Sequence, residues 1–182
     1  NSVNAEVWSV ASEEGMLAWW SLDESFNPCS VDRVRGRKAV FVGLTDSDRV
    51  FGRKGNAIRL AGAGEHLVVK GFTGIVNEKE RTTSLWVKTT DSEGSLIRWG
   101  SAGTGRLWEL EIVGGKLNLD AGNARLESNT QINDGNWHHL AVVLPSSAER
   151  LGDVVLYVDG SIESVNSTGN PLILTGDDYD LM

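Results

Sequence analysis

The chain has 182 residues, of which 40% are hydrophobic and 23% are charged, and its formal net charge at pH 7 is −8. This length is enough for one sizeable hydrophobic core and does not demand a second domain. The acidic balance disfavours nucleic acid and anionic membranes as partners, since such partners are held by basic patches that neutralise phosphates. Neutral sugars and cations remain compatible with this charge.

The single cysteine, Cys29, excludes an intrachain disulfide, so the fold must depend on its core. The sequence has no apolar run near the roughly 20 residues that a membrane-spanning helix requires. We therefore predict no membrane span.

Residues 1–15 carry only a weak apolar pattern, which we interpret as a leader or linker. From residue 16 onward, short apolar runs alternate with turn residues, and no helical repeat is sustained. The predicted strands are residues 16–22, 39–44, 57–60, 66–70, 82–89, 95–99, 107–113, 116–120, 137–144, 154–159, 161–165 and 171–174. Regular spacing of this kind is typical of an all-β sandwich or barrel.

Two of these strands, 137–144 and 154–159, are the most apolar of the series. In the first, Trp137 and His139 share one face and His138 shares the other with Leu140. Both faces are largely apolar, so we expect this pair in the middle of a layered β structure, with neither face exposed to water. The clearest hairpin joins residues 107–113 and 116–120 across Gly114-Gly115.

Six motifs occur in a fixed order along the chain. They are Leu-Ala-Trp-Trp-Ser-Leu-Asp-Glu at 17–24, Gly-Asn-Ala-Ile-Arg-Leu-Ala-Gly at 55–62, Thr-Ser-Leu-Trp-Val-Lys at 83–88, Gly-Lys-Leu-Asn-Leu at 115–119, Asp-Gly-Asn-Trp-His-His-Leu-Ala-Val at 134–142 and Leu-Tyr-Val-Asp-Gly at 156–160. Together they resemble the laminin G-like, concanavalin A-like lectin and glucanase superfamily in its bacterial form. The resemblance implies a jelly-roll sandwich of two antiparallel sheets over residues 16–182. It also implies a module that is extracellular, at the cell surface or periplasmic, within a larger protein.

The resemblance further implies a closing strand after residues 172–176, and the sequence ends at Met182 without one. We therefore expect that the closing strand is missing and that the domain is incomplete at its C-terminus. An unpaired sheet edge is expected at the position of that strand.

Glycanases of this fold place acidic residues at alternate positions of one strand, because a retaining mechanism needs two carboxyl groups about 5 Å apart. Glu109 and Glu111 have this spacing, but Val113 stands where the family pattern requires a third acid. We therefore predict that the protein is not an enzyme. We expect both glutamates to line a solvated sheet face.

The pair His138-His139 resembles a metal or catalytic motif in isolation. Adjacent strand residues point to opposite sides, so both imidazoles cannot reach one metal ion without a bulge. His66 is the third histidine, and no carboxylate lies at zinc-ligand spacing from these residues. A structural role is favoured.

Calcium is the better metal hypothesis, because it prefers carboxylate and carbonyl oxygens. In domains similar to this one, the first strand, a glycine carbonyl and an acid of the closing strand meet at a calcium ion. The resemblance assigns Asp23 and the carbonyl of Gly62 to that site. The alternative is that Asp23 is a turn residue.

Sugar-binding modules stack aromatic rings on pyranose rings beside planar polar groups. The candidates near loops are Trp99 with Arg98, and Trp108 with Glu109. The other tryptophans of the strong strands, Trp19, Trp86 and Trp137, are predicted to be core residues.

These observations predict a non-catalytic recognition module that binds carbohydrate or a surface glycoconjugate, with calcium as a possible structural ion. The alternative is a protein-interaction or spacer domain without sugar affinity.

Overall fold

The structure is a computed structural model that describes residues 15–24, 28–62, 64–175 and 181–182. The predicted leader therefore lies almost entirely outside the described residues. The chain divides into two compact units, Asn1–Val69 and Lys70–Met182.

Where the structure describes the first unit, it contains five short strands, β1 (Cys29–Val31), β2 (Lys38–Val42), β3 (Arg49–Phe51), β4 (Asn56–Ile58) and β5 (His66–Val68). Strands β1, β2 and β5 form one antiparallel sheet in the order β1-β2-β5, and β3 and β4 form a separate hairpin. A short 3-10 helix, Asp46–Asp48, precedes β3.

The strand predicted over residues 16–22 is wrong. This segment is irregular, because the backbone N–H of Trp19 donates to the carboxylate of Asp32 at 2.8 Å rather than to a neighbouring strand. The carbonyl of Trp19 accepts from the N–H of Arg33 at 2.9 Å.

The second unit contains nine strands within its described part. They are β6 (Arg81–Lys88), β7 (Glu93–Gly100), β8 (Leu107–Val113), β9 (Lys116–Asp120), β10 (Arg125–Gln131), β11 (Trp137–Leu144), β12 (Val155–Val158), β13 (Ser161–Ile162) and β14 (Asn166–Ser167). One antiparallel sheet has the order β14-β10-β9-β8-β7, and the other has the order β13-β12-β11-β6. A 3-10 helix, Leu151–Asp153, precedes β12.

The two sheets of the second unit pack face to face. Trp108 on β8 donates its indole N–H to the hydroxyl of Thr83 on β6 at 3.2 Å. Fully buried leucines line both inner faces, among them Leu110 and Leu119 on one sheet and Leu140 on the other. The predicted fold class, an all-β antiparallel jelly-roll sandwich, is confirmed.

Burial alternates along the central strand β11, with His138, Leu140, Val142 and Leu144 inward. The residues between them are only partly buried. The expectation that both faces of this strand lie away from water is therefore wrong. In a two-layer sandwich each sheet has one inner face, so the second apolar face is left toward solvent.

The edge strand β7 of the five-stranded sheet is paired at one point. Arg98 exchanges two backbone hydrogen bonds with Met182, of 2.9 and 3.0 Å. The expectation of an unpaired sheet edge does not hold at this position. No helix in the described part of the chain has the length and apolar character needed to cross a membrane.

Candidate functional site

Strand β8 directs its two glutamates away from the core. Leu110 and Ile112, on its inner face, are 0% and 4% exposed. Because side chains alternate along a strand, Glu109 and Glu111 lie together on the outer face of the five-stranded sheet.

Polar side chains of four neighbouring strands lie in register on this outer face. Residues that are directly opposite in a sheet share a face and contact one another. One row across β7, β8, β9 and β10 consists of Arg98, Glu109, Asp120 and Arg125, and the next row consists of Ser95, Glu111, Asn118 and Glu127. We call these eight residues the polar grid. It contains the two polar residues, Arg98 and Glu109, that the sequence singled out for ligand binding.

Glu109 is held from two sides within the grid. The hydroxyl of Ser95 donates to its Oε1 at 2.7 Å, and a guanidinium nitrogen of Arg98 lies 3.8 Å from its Oε2. Glu109 is 9% exposed, which is unusually low for a carboxylate on an outer sheet face. Its position is therefore fixed by strand geometry and by these contacts.

Arg125 bridges two carboxylates at the other side of the grid. Its Nε lies 3.1 Å from Oδ2 of Asp120 and 3.5 Å from Oε1 of Glu111. Asn118, in the second row, is 2% exposed. A fork-shaped cation and planar acceptors are thus arranged side by side on a rigid surface.

The negative charge of the Glu111 carboxylate is only partly balanced by neighbouring groups. Burial raises its pKa above the ordinary value, while the guanidinium of Arg125 acts in the opposite direction. The carboxylates of Glu109, Asp120 and Glu93 add to the increase. Oε1 of Glu111 is buried and accepts no hydrogen bond from the described residues.

The two candidate tryptophans do not belong to this surface. Trp99 and Trp108 are 4% and 0% exposed, and their rings stack on each other with centroids 5.9 Å apart. The guanidinium of Arg81 lies 4.7 Å from the ring of Trp108. Their assignment as sugar-stacking residues is wrong, because the phase of strands β7 and β8 turns both rings into the core.

On the outer face of the four-stranded sheet, by contrast, one tryptophan is exposed and other aromatic side chains are partly exposed. Trp86 is 47% exposed, and its ring meets that of His139 at a centroid distance of 5.2 Å. On the same face, Tyr157 is paired with Ile162, which is 69% exposed. We call Trp86, Trp137, His139, Tyr157 and Ile162 the aromatic face.

The prediction that Trp86 is a core residue is wrong, and Trp137 is only partly buried. Trp19, also predicted as core, is 42% exposed and lies under the guanidinium of Arg33 at 5.5 Å. Polar neighbours at alternate positions of β6, such as Ser84 and Lys88, were the signal that places Trp86 outside.

The two adjacent histidines point to opposite sides of β11, as predicted. His138 faces inward, where Nδ1 lies 2.8 Å from Asp159 and Nε2 lies 3.1 Å from Asp134. His139 faces outward against Trp86. The described residues contain no group of three or more His, Cys, Asp or Glu side chains placed to hold a metal ion.

Both carboxylate oxygens of Asp23, which the resemblance assigns to calcium, have neighbours in this structure. Oδ1 of Asp23 accepts the backbone N–H of Asn56 at 2.9 Å, and Oδ2 lies 3.9 Å from the guanidinium of Arg33. A neighbouring cation and an occupied oxygen disfavour a second cation. Gly62 is exposed and has a positive φ of 90°. Calcium binding stays a prediction.

Two of the solved structures that match this chain are regions of laminin chains. Domains LG4–5 of the mouse laminin α1 chain match with 18% identity and a TM-score of 0.43, covering 57% of this chain and 27% of that one. The LG1–3 region of the laminin α2 chain matches with 16% identity and a TM-score of 0.41, covering 59% of this chain and 23% of that one. The chain thus spans about a quarter of the length of these two structures.

A third structure matches over more of its length. It is residues 221–444 of an S-layer domain-containing protein from Clostridium thermocellum, with 22% identity, a TM-score of 0.50, and coverage of 82% of this chain and 71% of that one. Among curated proteins, no significant match was found. The family model described as concanavalin A-like lectin/glucanases superfamily matches residues 61–181, which is more than half of the sequence, and the chain belongs to that superfamily.

Proposed function

We propose that this chain is a non-catalytic recognition module whose polar grid binds carbohydrate. The observation that carries the proposal is the grid itself, two rows of four planar or hydroxyl-bearing side chains in register across β7, β8, β9 and β10. We also propose that the module acts outside the cytoplasm, in line with the laminin and S-layer proteins that share its fold.

Sugar hydroxyl groups both donate and accept hydrogen bonds, so a site that binds them must offer both functions. The carboxylates of the grid are acceptors, its guanidinium groups are donors, and the amide of Asn118 is both. Because all eight residues lie on strands, little ordering entropy is lost when a ligand binds.

Ligand binding without hydrolysis is favoured by the pairing within the grid. Glu109 is held by Ser95 and Arg98, and Glu111 by Arg125. Val113 occupies the position of β8 where the catalytic pattern requires a third acid. These contacts favour fixed acceptors over an acid and a nucleophile that exchange protons with a substrate.

The test is calorimetric titration with neutral gluco-, xylo- and chito-oligosaccharides, chosen by a glycan array. We expect Glu109→Gln and Asp120→Asn to weaken binding by at least about tenfold, because each removes a charge-assisted acceptor while keeping its shape. Glu80→Gln is the matched control, since Glu80 is exposed and outside the grid. Equal affinity in the wild type and both grid variants, or hydrolysis of the oligosaccharides, would contradict the proposal.

A second candidate function, protein interaction without sugar affinity, is favoured by the aromatic face. Exposed apolar groups rimmed by polar residues are typical of contact surfaces. A Trp86→Ser variant is expected to lose binding of a protein partner, while Glu109→Gln retains it. The opposite pattern, with loss only in the grid variant, would assign the function to the grid.

The predicted calcium ion is tested separately by thermal-shift measurements with calcium and with a chelator. A shift that Asp23→Asn abolishes is the outcome expected for an ion at Asp23 and Gly62. No shift in the wild type would remove calcium from the proposal.

A further inference from the structure

The tip of the β3–β4 hairpin exposes an aromatic ring to solvent. Phe51 is 92% exposed, whereas the next most exposed large apolar side chain among the described residues, Ile162, is 69% exposed. Isolated apolar residues at a protein surface are common, so exposure alone carries no inference. The neighbours of Phe51 supply the further evidence.

Two cations lie in the turn beside this ring. Residues Gly52, Arg53, Lys54 and Gly55 connect the strands, and the side chains of Arg53 and Lys54 are exposed. The surrounding stretch, residues 28–62, has eight Lys and Arg against three Asp, a net charge of +5 in a chain of −8. This stretch is therefore locally basic, although the first unit as a whole has eight Lys and Arg against nine Asp and Glu.

The hairpin tip is preformed. The N–H of Gly52 donates to the carbonyl of Gly55 at 2.9 Å and closes the turn. The next N–H, of Asn56, donates to the carboxylate of Asp23 at 2.9 Å and ties β4 to the preceding segment. The tip thus presents its three side chains without a large ordering cost on binding.

We propose that the tip of this hairpin docks on anionic lipid surfaces. Phe51 enters the boundary between headgroups and acyl chains, and Arg53 and Lys54 face the lipid phosphates. An apolar ring next to cations matches a surface that is anionic at its exterior and apolar beneath. A soluble polyanion would pair with the cations but would leave the ring in water.

The acidic remainder of the chain does not prevent this contact. Exposed charges are screened beyond about 8 Å at physiological ionic strength, so the membrane senses the charges of the tip and not the net charge of the chain. The hairpin belongs to the first unit and the polar grid to the second.

The aromatic ring and the two cations each make an expected contribution to membrane affinity. Burial of the ring of Phe51 contributes roughly 30-fold to partitioning. The two cations near an anionic surface contribute roughly 30-fold together. Affinity of this size requires millimolar lipid for detection, so the docking acts together with other attachments of the same protein.

The test is sedimentation of the whole chain with vesicles of phosphatidylcholine alone or mixed with phosphatidylglycerol. We expect binding to the mixed vesicles that falls about 30-fold in Phe51→Ala and by a similar factor in Arg53→Gln/Lys54→Gln. The matched controls are Ile162→Ala and Lys88→Gln/Arg106→Gln, which alter exposed residues of the second unit and are expected to bind like the wild type. Circular dichroism confirms folding of each variant.

Three results would overturn the proposal. They are equal binding to the two vesicle types, an undiminished affinity in Phe51→Ala, and binding to dextran sulfate with no binding to vesicles. The last result would assign the basic tip to a soluble polyanion.

Discussion

Nδ1 of His138 lies 2.8 Å from Oδ2 of Asp159, and the other carboxylate oxygen of Asp159 accepts the backbone N–H of His139. Nε2 of His138 lies 3.1 Å from Asp134. One inward-facing imidazole thus joins the loop before β11 to the turn after β12. Neither contact is evident from the sequence, where Asp159 is 21 residues from His138.

This arrangement predicts a stability that depends on pH. Burial alone would lower the pKa of His138, but the hydrogen bonds with Asp159 and Asp134 outweigh it and raise the pKa above the ordinary value of 6.5. The contribution of charged His138 is therefore fully present below about pH 6.5 and is lost as the pH rises through the raised pKa. We expect His138→Asn to reduce the free energy of unfolding by about 1–2 kcal/mol at pH 6 and by less at pH 9.

Urea unfolding of both proteins over this pH range checks the prediction. A penalty for His138→Asn that is constant with pH would show that the imidazole acts only by packing. At the acid end, hydrogen bonds from Asn136 and His138 hold the pKa of Asp134 at about 2, so that carboxylate stays charged until the pH falls to that value.

Mutation of Trp108 and mutation of Trp86 are expected to have very different effects on stability. Trp108 is fully buried against Trp99, whereas Trp86 is 47% exposed. We expect Trp108→Ala to destabilise the fold by about 3–5 kcal/mol and Trp86→Ala by less than about 1 kcal/mol. Chemical denaturation measures both values, and similar losses in the two variants would contradict the assignment of core and surface.

The environment of Glu111 predicts that replacing this residue with Gln stabilises the fold. Burial and neighbouring carboxylates raise its pKa, so its charged form destabilises the folded state above the ordinary pKa of a glutamate. We expect Glu111→Gln to raise the free energy of unfolding at pH 7 by about 0.5 kcal/mol, with the gain lost as the pH falls through the raised pKa and absent below about 4.5. A loss of stability at pH 7 would mean that the ion pair with Arg125 dominates.

The surroundings of Gly105 in the second unit leave no room for a side chain at this position. Its φ is +74°, and a Cβ atom there would lie 1.9 Å from the carbonyl oxygen of Leu172. We expect Gly105→Ala to cost about 3 kcal/mol or more, because it combines an unfavourable backbone conformation with a backbone clash. Gly160→Ala is the matched control, since φ is +81° and a Cβ would meet nothing within 4 Å.

The control variant Gly160→Ala measures only the cost of placing a non-glycine residue at a positive φ, which is about 1 kcal/mol. Thermal melts of both variants give the comparison. If Gly105→Ala melts like Gly160→Ala, the segment at Leu172 moves freely away from Gly105, and the proposed close contact is not needed for stability.

The sequence by itself determined the strands with strong apolar alternation and the residues that share a face. The hairpin of β8 and β9 lies where Gly114-Gly115 predicts it, and His138 and His139 point to opposite sides. Both results follow from local geometry, because alternate side chains of a strand face opposite ways whatever packs against them. The motif series also identified the superfamily.

Only the tertiary structure decided which face of each strand is buried. Trp99 and Trp108 lie beside charged residues in the sequence, and only the packing of the two sheets shows that their rings stack on each other in the core. Strand β10 was not predicted at all. Its sequence is polar, and it acquires strand structure by pairing with β9. The polar grid joins residues from Ser95 to Glu127 through cross-strand register, which depends on contacts between segments far apart in the chain.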